Sequence, residues 1–338
     1  MVSKKTHTVS KKLIGVIAVA VVVTLAGCAT AATPTKSGAS VTIGFAIPTS
    51  KATYFTAYIV EVKKRAEELG VQVNFAFAED DANKQNTQVA DFATAGASGI
   101  VVAPVDIDAN VVGVQQLGTS GPPVITSNRF LMTQYGGTDG ANPRVHTGFS
   151  DYTVGLNSGE LIVQACADKN PCNVVLEVGT LGSAPQVERE RGAREALAAA
   201  SNVKILAVES NDFQAPKAIE LTSQLLTRFP QIDVIATQDD ATAVGALQSV
   251  NEAGRGAAIR VVGVGGSKDG IAAIVAGDLY GTVWVSPKAE GVIALEAILA
   301  IIDHEAPKDL ATVEGRPTVA VPIANVTSDN AAKYPGEW

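Results

Sequence analysis

Aromatic, arginine, amide and carboxylate side chains follow several short apolar runs of this sequence. The set consists of Tyr54, Phe55, Asn128, Arg129, Arg189, Phe213 and Asp239. Aromatic faces cover the C–H surfaces of polyhydroxylated molecules. Arginine, amide and carboxylate groups form hydrogen bonds of about 1.5–3 kcal/mol with their hydroxyls. The set therefore indicates the binding of a polyhydroxylated ring or chain.

Each member of this set also has a simpler explanation. Tyr54 and Phe55 could be the first core contacts of a helix, and Arg189 lies among charges that could form a solvated ion-pair face. Asp239 could cap the helix that follows it. Only the shared position after strand ends favours binding, because ligands of open α/β sheets lie beyond the carboxyl ends of the strands.

Motifs for catalysis and for nucleic-acid binding are missing from the sequence. It has no G-x-x-x-x-G-K-[ST] or G-x-S-x-G, and VVGVGGSKDG lacks the G-x-G-x-x-G spacing. Behind the first forty residues only His146 and His304 remain, and they lack metal-ligand spacing. The net charge of -8 argues against a nucleic-acid partner. We expect no enzyme activity, cofactor or metal.

The elements that must position these side chains alternate regularly. VTIGFAI, VQVNFAF, GIVVAP and PPVITS are typical of buried strands, and helical patterns such as FTAYIVEVKKRAEELG separate them. A second series starts near Val145, with the strands NVVLEV, VKILAV, DVIAT and IRVVGV. Such alternation predicts parallel sheets with helices on both faces. The predicted fold class is α/β, with two doubly wound parallel-sheet lobes.

The first forty residues indicate export. Lysines within 4–12 precede an apolar run over 13–25, which is too short for a membrane-spanning helix. Leu25-Ala26-Gly27-Cys28 resembles the lipobox of bacterial lipoproteins. That resemblance implies a signal peptide over 1–27, lipidation of Cys28 and a lipid anchor on the outer face of the cell membrane. Residues 28–40, rich in Ala, Thr, Ser, Pro and Gly, would form a flexible tether. The alternative is an uncleaved membrane anchor.

The other two cysteines fit an exported protein. Cys166 and Cys172 are separated by ADKNP, which should turn the chain between a helix and a strand. Outside the cytoplasm such a pair is expected to form a disulfide. Two unrelated thiols are the alternative.

From about residue 41 to residue 326 the chain resembles the ribose-binding branch of the periplasmic sugar-binding proteins. The matching stretches are TYF, PVITSNRF, VERERG, NDF, TQDDATAVGAL, VVGVGGSKDG and GTVWVSPKAEG. The resemblance implies two lobes joined by three hinge strands that close around a sugar. It also implies a receptor that delivers its ligand to the permease of an ABC importer, and we expect a monomer.

The resemblance also predicts where the lobes divide. Hinge crossings should fall near Gly148, Val285 and Val319. Lobe one would comprise 41–148 plus 286–318. Lobe two would comprise 149–285 plus 319–338.

Several departures from the family pattern bear on the ligand. Ala52 and Asn128 stand where the pentose receptors have asparagine and aspartate, and Asp239 replaces an asparagine. A binding aspartate falls on Gly265, and the hinge glutamine falls on Val285. A ribopyranose would therefore leave hydroxyls without partners, which disfavours ribose.

The same departures suggest a small and less polar cleft, since Trp284 adds bulk beside the hinge. We expect a sugar alcohol of four or five carbons or a modified pentose. Gly265 and Trp284 are expected among the residues that contact it. The alternative ligand is a sugar acid or an autoinducer-like anion, because Arg129 and Arg189 outnumber Asp239. A receptor that hands its ligand to a sensor is a further alternative. A sugar-responsive transcription regulator would need a DNA-binding head where the lipobox stands.

Overall fold

The structure is a computed structural model that describes residues 41–338. The expected signal peptide, the tether and Cys28 lie outside the described residues. Among the helices of 41–338, none has the length and apolar character required to cross a bilayer.

The first lobe is built on a sheet that takes strands from both ends of the described chain. Its strands are β1 (Thr42–Ile47), β2 (Gln72–Phe77), β3 (Gly99–Val102), β4 (Val124–Ser127), β5 (His146–Gly148), β11 (Leu310–Val313) and β12 (Arg316–Ala320). Their spatial order is β11-β12-β5-β4-β3-β1-β2. Its helices are α1 (Thr53–Leu69), α2 (Ala82–Thr94), α3 (Ala109–Gln115) and α9 (Pro287–Ile302).

Alternation along β1 distributes the core of this lobe over both faces of the sheet. Phe45 and Ile47 pack with α1 and α9 on one face, whereas Ala46 packs with α2 and α3 on the other. Burial of a large apolar side chain contributes about 1.5–3 kcal/mol. Burial against the strands of this sheet therefore holds the helices on its two faces.

The second lobe repeats this plan. Its strands are β6 (Cys172–Val178), β7 (Val203–Ser210), β8 (Val234–Thr237), β9 (Arg260–Gly265), β10 (Gly281–Val285) and β13 (Ile323–Thr327), in the order β13-β10-β9-β8-β6-β7. Its helices are α4 (Asp151–Ala165), α5 (Ala184–Ala198), α6 (Ala215–Arg228), α7 (Asp240–Glu252) and α8 (Lys268–Ala276). The predicted α/β fold with two doubly wound lobes is confirmed.

The sheets differ from the prediction at their edges, where β11 pairs with β12 and β10 pairs with β13 in antiparallel orientation. A two-residue turn joins β11 to β12, and Glu314 and Gly315 both have positive φ there (49° and 76°). Such a turn matches the twist of an antiparallel hairpin. The hairpin extends the first sheet, because Ala320 pairs with Gly148.

The chain passes between the sheets three times: after β5, between β10 and α9, and between β12 and β13. The third crossing is predicted near Val319, which is the next-to-last residue of β12 in the first sheet. The passage to the second sheet therefore falls at 321–322.

Cys166 and Cys172 form a disulfide in the second lobe, with their Cα atoms 5.6 Å apart. Cys166 ends α4 and Cys172 begins β6, so the bridge closes the turn between these two elements. Both side chains are fully buried.

Candidate ligand-binding site

A cavity of about 210 Å³ lies between the two lobes. Its lining includes residues one or two positions after β4, β5 and β8, together with the first turns of α1, α4 and α5. Most of the expected site residues meet here: Tyr54, Phe55, Asn128, Arg129, Arg189, Asp239 and Gly265. The remaining lining residues are Phe149, Asp151, Pro185, Val264, Val285 and Trp338.

Two expected residues, Phe213 and Trp284, do not line this cavity. Phe213 has a φ of 56°, and its ring lies against Gly179, where a Cβ would come within 2.0 Å of it. Trp284 precedes Val285 in β10, and neighbouring residues of a strand point to opposite faces. Val285 thus lines the cavity, while Trp284 packs on Tyr334 with ring centroids 5.3 Å apart.

The lobe-one wall of the cavity is organised around a buried acid, Glu290 of α9. The Tyr54 hydroxyl donates to Glu290 Oε2 at 2.5 Å, and Asn128 Nδ2 donates to the same oxygen at 3.3 Å. Burial raises the pKa of Glu290 to about 7, although these hydrogen bonds oppose the shift. Burial and the neighbouring Glu290 also raise the pKa of Tyr54 well above its usual value.

Arg129 belongs to the same wall and is held by main-chain oxygens. Its Nη1 donates to the carbonyls of Val105 (3.1 Å) and Pro104 (3.4 Å) in the loop after β3. Burial lowers the pKa of Arg129, and Asp151 partly opposes this shift. Asn128 precedes it with a φ of 66°, a conformation that asparagine tolerates better than most residues. This turn directs both side chains toward the cleft.

The lobe-two wall carries an ion pair. Arg189 Nε donates to Asp151 Oδ1 at 2.8 Å, and Arg189 Nη1 donates to the Gln238 carbonyl at 2.6 Å. The side chains of Arg189 and Asp151 are 15% and 20% exposed, so the pair is partly shielded but still reaches the cavity. The helix starts of α4 and α5 place its two members opposite each other.

Asp239 caps the helix that follows it and also lines the cavity. Its Oδ1 accepts hydrogen bonds from Thr242 N (2.7 Å) and Thr242 Oγ1 (2.9 Å), which caps α7, and its side chain also lines the cavity. The adjacent Asp240 is fully buried and accepts from Thr282 Oγ1 and Ser267 N. Burial raises the pKa of Asp240, which is a structural group of the second lobe.

A second cavity of about 260 Å³ lies beside the crossing segments and shares Phe149 with the first. His146 lines it, and burial lowers the pKa of His146 to about 3, so the ring is neutral. The Arg316 guanidinium lies over the Phe130 ring, 3.8 Å from its centroid, so one of its faces is covered by that ring. Both cavities contain aromatic, cationic and anionic side chains. The first is lined by residues that follow β4 and β8 and by the first turns of α1 and α5, where ligands of α/β sheets bind, and it is the better candidate site. Residues 41–338 contain no cluster of three potential metal ligands.

Sequence reasoning missed four residues of this region: Phe149, Asp151, Glu290 and Trp338. Phe149 and Asp151 follow β5, so the rule of reading residues after strand ends would have found them once that short strand was recognised. Glu290 is one of two acids in a largely apolar helix, and this is a weak signal for a buried carboxylate. Trp338 lies beyond residue 326, where the family resemblance ends.

Two α/β lobes, three crossing segments and a mixed polar and aromatic cavity between them define a two-lobed ligand-binding protein. A family profile described as periplasmic binding protein domain matches residues 43–306. The chain belongs to this family, in its ribose-binding-like, type I branch, and the resemblance seen in the sequence is confirmed.

Individual relatives agree with this assignment. The ribose import binding protein RbsB of Bacillus subtilis (strain 168) is 28% identical over 270 residues, which are 79% of this chain and 84% of that protein. A xylitol-binding protein of Mycolicibacterium smegmatis is 28% identical over 257 residues, covering 75% and 68%. An ABC transporter periplasmic solute binding protein from Actinobacillus succinogenes 130z, solved with bound D-allose, shares the fold. Its TM-score is 0.77 at 22% identity, over 87% of this chain and 100% of that one.

Proposed function

We propose that this protein is the solute receptor of an ABC importer and that it encloses a small neutral polyol of four or five carbons or a modified pentose. One observation carries the proposal: the cavity between the lobes combines the aromatic pair Tyr54 and Phe55 with two arginines and two aspartates. Relatives named for ribose and xylitol binding support the ligand class.

The charges around the cavity favour a neutral ligand. Arg129 and Arg189 contribute two positive charges, and Asp151 and Asp239 contribute two negative ones. Without Asp151, Arg129 and Arg189 against Asp239 leave one positive charge unmatched. With Asp151 paired to Arg189, no surplus charge remains for a sugar acid or an autoinducer-like anion to neutralise.

The size of the cavity favours a compact ligand. Its volume of about 210 Å³ is below the roughly 300–1,000 Å³ of pockets that hold drug-sized molecules. Gly265 and Val285 supply no side-chain hydrogen bonds at this end, so fewer ligand hydroxyls can be paired there than beside an acid and an amide. A short polyol satisfies the remaining polar groups with fewer unpaired hydroxyls than a hexose.

A thermal-shift screen of erythritol, xylitol, D-ribose and D-ribonate tests the ligand class. At about 100 times its dissociation constant a ligand adds roughly 2.7 kcal/mol of stability. We expect erythritol or xylitol to raise Tm most. A rise in Tm with D-ribonate alone would indicate that the ligand is a sugar acid and not a neutral polyol. The absence of any shift would refute the proposed site.

The sequence around Cys28 supports attachment to the outer face of the cell membrane through a lipid. We expect the wild-type protein to enter the detergent phase on phase separation, and Cys28→Ser to remain unprocessed or to enter the aqueous phase. A wild-type protein that is soluble and cleaved elsewhere would contradict this.

Uptake measurements distinguish import from signalling. Deletion of the gene should abolish accumulation of labelled polyol if the receptor feeds a permease. Unchanged accumulation, with loss of a transcriptional response to the polyol, would favour the signalling role instead.

A further inference from the structure

Residues 334–338 form a segment that is fixed against the second lobe beside the cleft. The Tyr334 ring packs on Trp284, and Trp284 Nε1 donates to the Pro335 carbonyl at 3.2 Å. At Gly336, a Cβ would come within 2.5 Å of Lys268 Cα. The path of this segment thus depends on Gly336 and on Trp284, which does not line the cavity.

The next two residues attach the segment to helix starts in both lobes. The Glu337 carboxylate accepts from Ser286 Oγ at 2.8 Å and from Lys288 N at 3.2 Å, at the beginning of α9. The main-chain oxygen of Trp338 accepts from Lys268 N at 2.9 Å, at the beginning of α8. An anionic group at a helix start is favoured by the orientation of the peptide dipoles. The position of Trp338 is therefore determined by contacts on both sides of the hinge.

The Trp338 side chain reaches the cavity between Tyr54 of lobe one and Gly265 of lobe two. Its ring centroid lies 5.9 Å from that of Tyr54, at an interplanar angle of 70°. At Gly265, a Cβ would lie 2.8 Å from Trp338 Cζ2, and its φ of 139° further disfavours any other residue. Position 265 is where the family resemblance places a ligand-binding aspartate. The indole occupies the space beside this position.

The indole nitrogen gives a second, independent indication. Trp338 Nε1 is buried and has no hydrogen-bond partner among the described residues. A buried donor without a partner costs about 1–3 kcal/mol. An oxygen of a molecule in the cavity would remove that cost.

We infer that Trp338 is a specificity-determining wall of the ligand site, contributed by the segment 334–338 in place of the acidic side chain missing at 265. The indole shortens the cavity and donates Nε1–H to a ligand hydroxyl, so polyols of four or five carbons bind in preference to those of six. This inference rests on the proposed function, because it concerns the same cavity.

The test compares calorimetric affinities for erythritol, xylitol and D-glucitol in four proteins: wild type, Trp338→Ala, Trp338→Phe and the control Val275→Ala, whose side chain is 69% exposed. For Trp338→Ala we expect about a 10- to 100-fold loss of affinity for the short polyol, and a preference over D-glucitol reduced to near one. Trp338→Phe should keep the preference but lose part of the affinity. The control should match wild type.

Fluorescence provides a readout that a purely structural role would not affect. The chain has two tryptophans, Trp284 and Trp338. Saturating xylitol or erythritol should change the emission of the wild type and leave that of Trp338→Phe, which retains Trp284, unchanged. Equal responses in both proteins would contradict a ligand contact at Trp338.

The outcomes separate this inference from the proposed function. If the wild type binds short polyols and Trp338→Ala binds them equally well with the same preference, the inference fails and the function stands. If Trp338→Ala binds all three polyols more tightly, the segment obstructs the site, which also overturns the inference. If the wild type binds none of them, both fail together.

Discussion

The two walls of the cleft hold their polar groups in different ways. On the lobe-one side, Tyr54 and Asn128 converge on Glu290, a fully buried acid with a pKa near 7. On the lobe-two side, Arg189 and Asp151 form a partly exposed ion pair between two helix starts. Lobe one therefore provides a network that responds to proton concentration, whereas lobe two provides a charge pair that can exchange its bonds with a ligand.

Among the changes that test this comparison, replacing the cleft arginines should have the largest effect on polyol affinity. Arg189→Ala removes charge-assisted donors of about 1.5–3 kcal/mol each and leaves Asp151 unpaired, so we expect polyol binding to become undetectable by calorimetry. Arg191→Ala is the matched control, because Arg191 lies on the same helix but is 52% exposed and paired to Glu188. An affinity within threefold of wild type for Arg189→Ala would contradict the role of the ion pair.

Arg129→Ala should also weaken polyol binding. It leaves the carbonyls of Pro104 and Val105 without this donor, so we expect a lower Tm in addition. Arg189→Ala likewise leaves the Gln238 carbonyl without its donor, so both variants should lose Tm. Wild-type affinity in Arg129→Ala would contradict its place in the site.

The difference in unfolding free energy between Glu290→Gln and wild type should change by about 3 kcal/mol from pH 4 to pH 8. The pKa of Glu290 rises from 4.5 to about 7 on folding. Between these values the folded protein holds a proton that the unfolded chain releases. The contribution of Glu290 to the free energy of unfolding therefore becomes less favourable as pH increases. The glutamine cannot ionise, and the wild type should therefore lose stability relative to the variant as pH rises through this window. Denaturant unfolding at several pH values measures the difference.

Glu177→Gln provides the control from the other lobe. Glu177 is also buried, with a pKa raised to about 7, but it is bonded to Thr222 and Asn211 and not to the residues of the lobe-one wall. We expect a similar relative gain in stability above pH 7. The pH dependence of polyol affinity should change only in Glu290→Gln. A change in both variants would refute a special role for the lobe-one network.

Reduction of the disulfide should have the smallest effect on binding. The bridge between Cys166 and Cys172 spans six positions of lobe two, and closing so short a loop stabilises a protein by about 2 kcal/mol. We expect Cys166→Ser/Cys172→Ser to unfold at lower denaturant concentration and to bind xylitol or erythritol with unchanged affinity. A loss of affinity would show that the turn is coupled to the cleft.

The sequence predicted the central strands and most of the cavity because both follow from local rules. β-branched runs separated by helical patterns determined the two lobes, and the positions after the strands located Arg129, Arg189 and Asp239. The antiparallel edges were missed because pairing orientation there depends on a two-residue turn and on contacts distant in sequence.

Side-chain direction explains the other differences. Trp284 and Val285 are neighbours, and only the register of β10 decides which of them faces the cavity. Phe213 follows a strand as expected, but its left-handed backbone directs the ring to Gly179. Trp338 reaches the site through long-range contacts to α8 and α9, which no pattern near residue 338 encodes.

The threading of the chain has a consequence for the timing of synthesis. Strands β1 to β5 are complete at residue 148, but α9, which supplies Ala294, Leu295 and Ile298 to the same core, ends only at Ile302. At ribosomal rates of about 5–20 residues per second, one face of this sheet is covered by α1 without α9 for roughly 8–30 s. During that interval the second lobe is made, and the unfinished first lobe offers apolar surface to a holding chaperone or to other nascent chains.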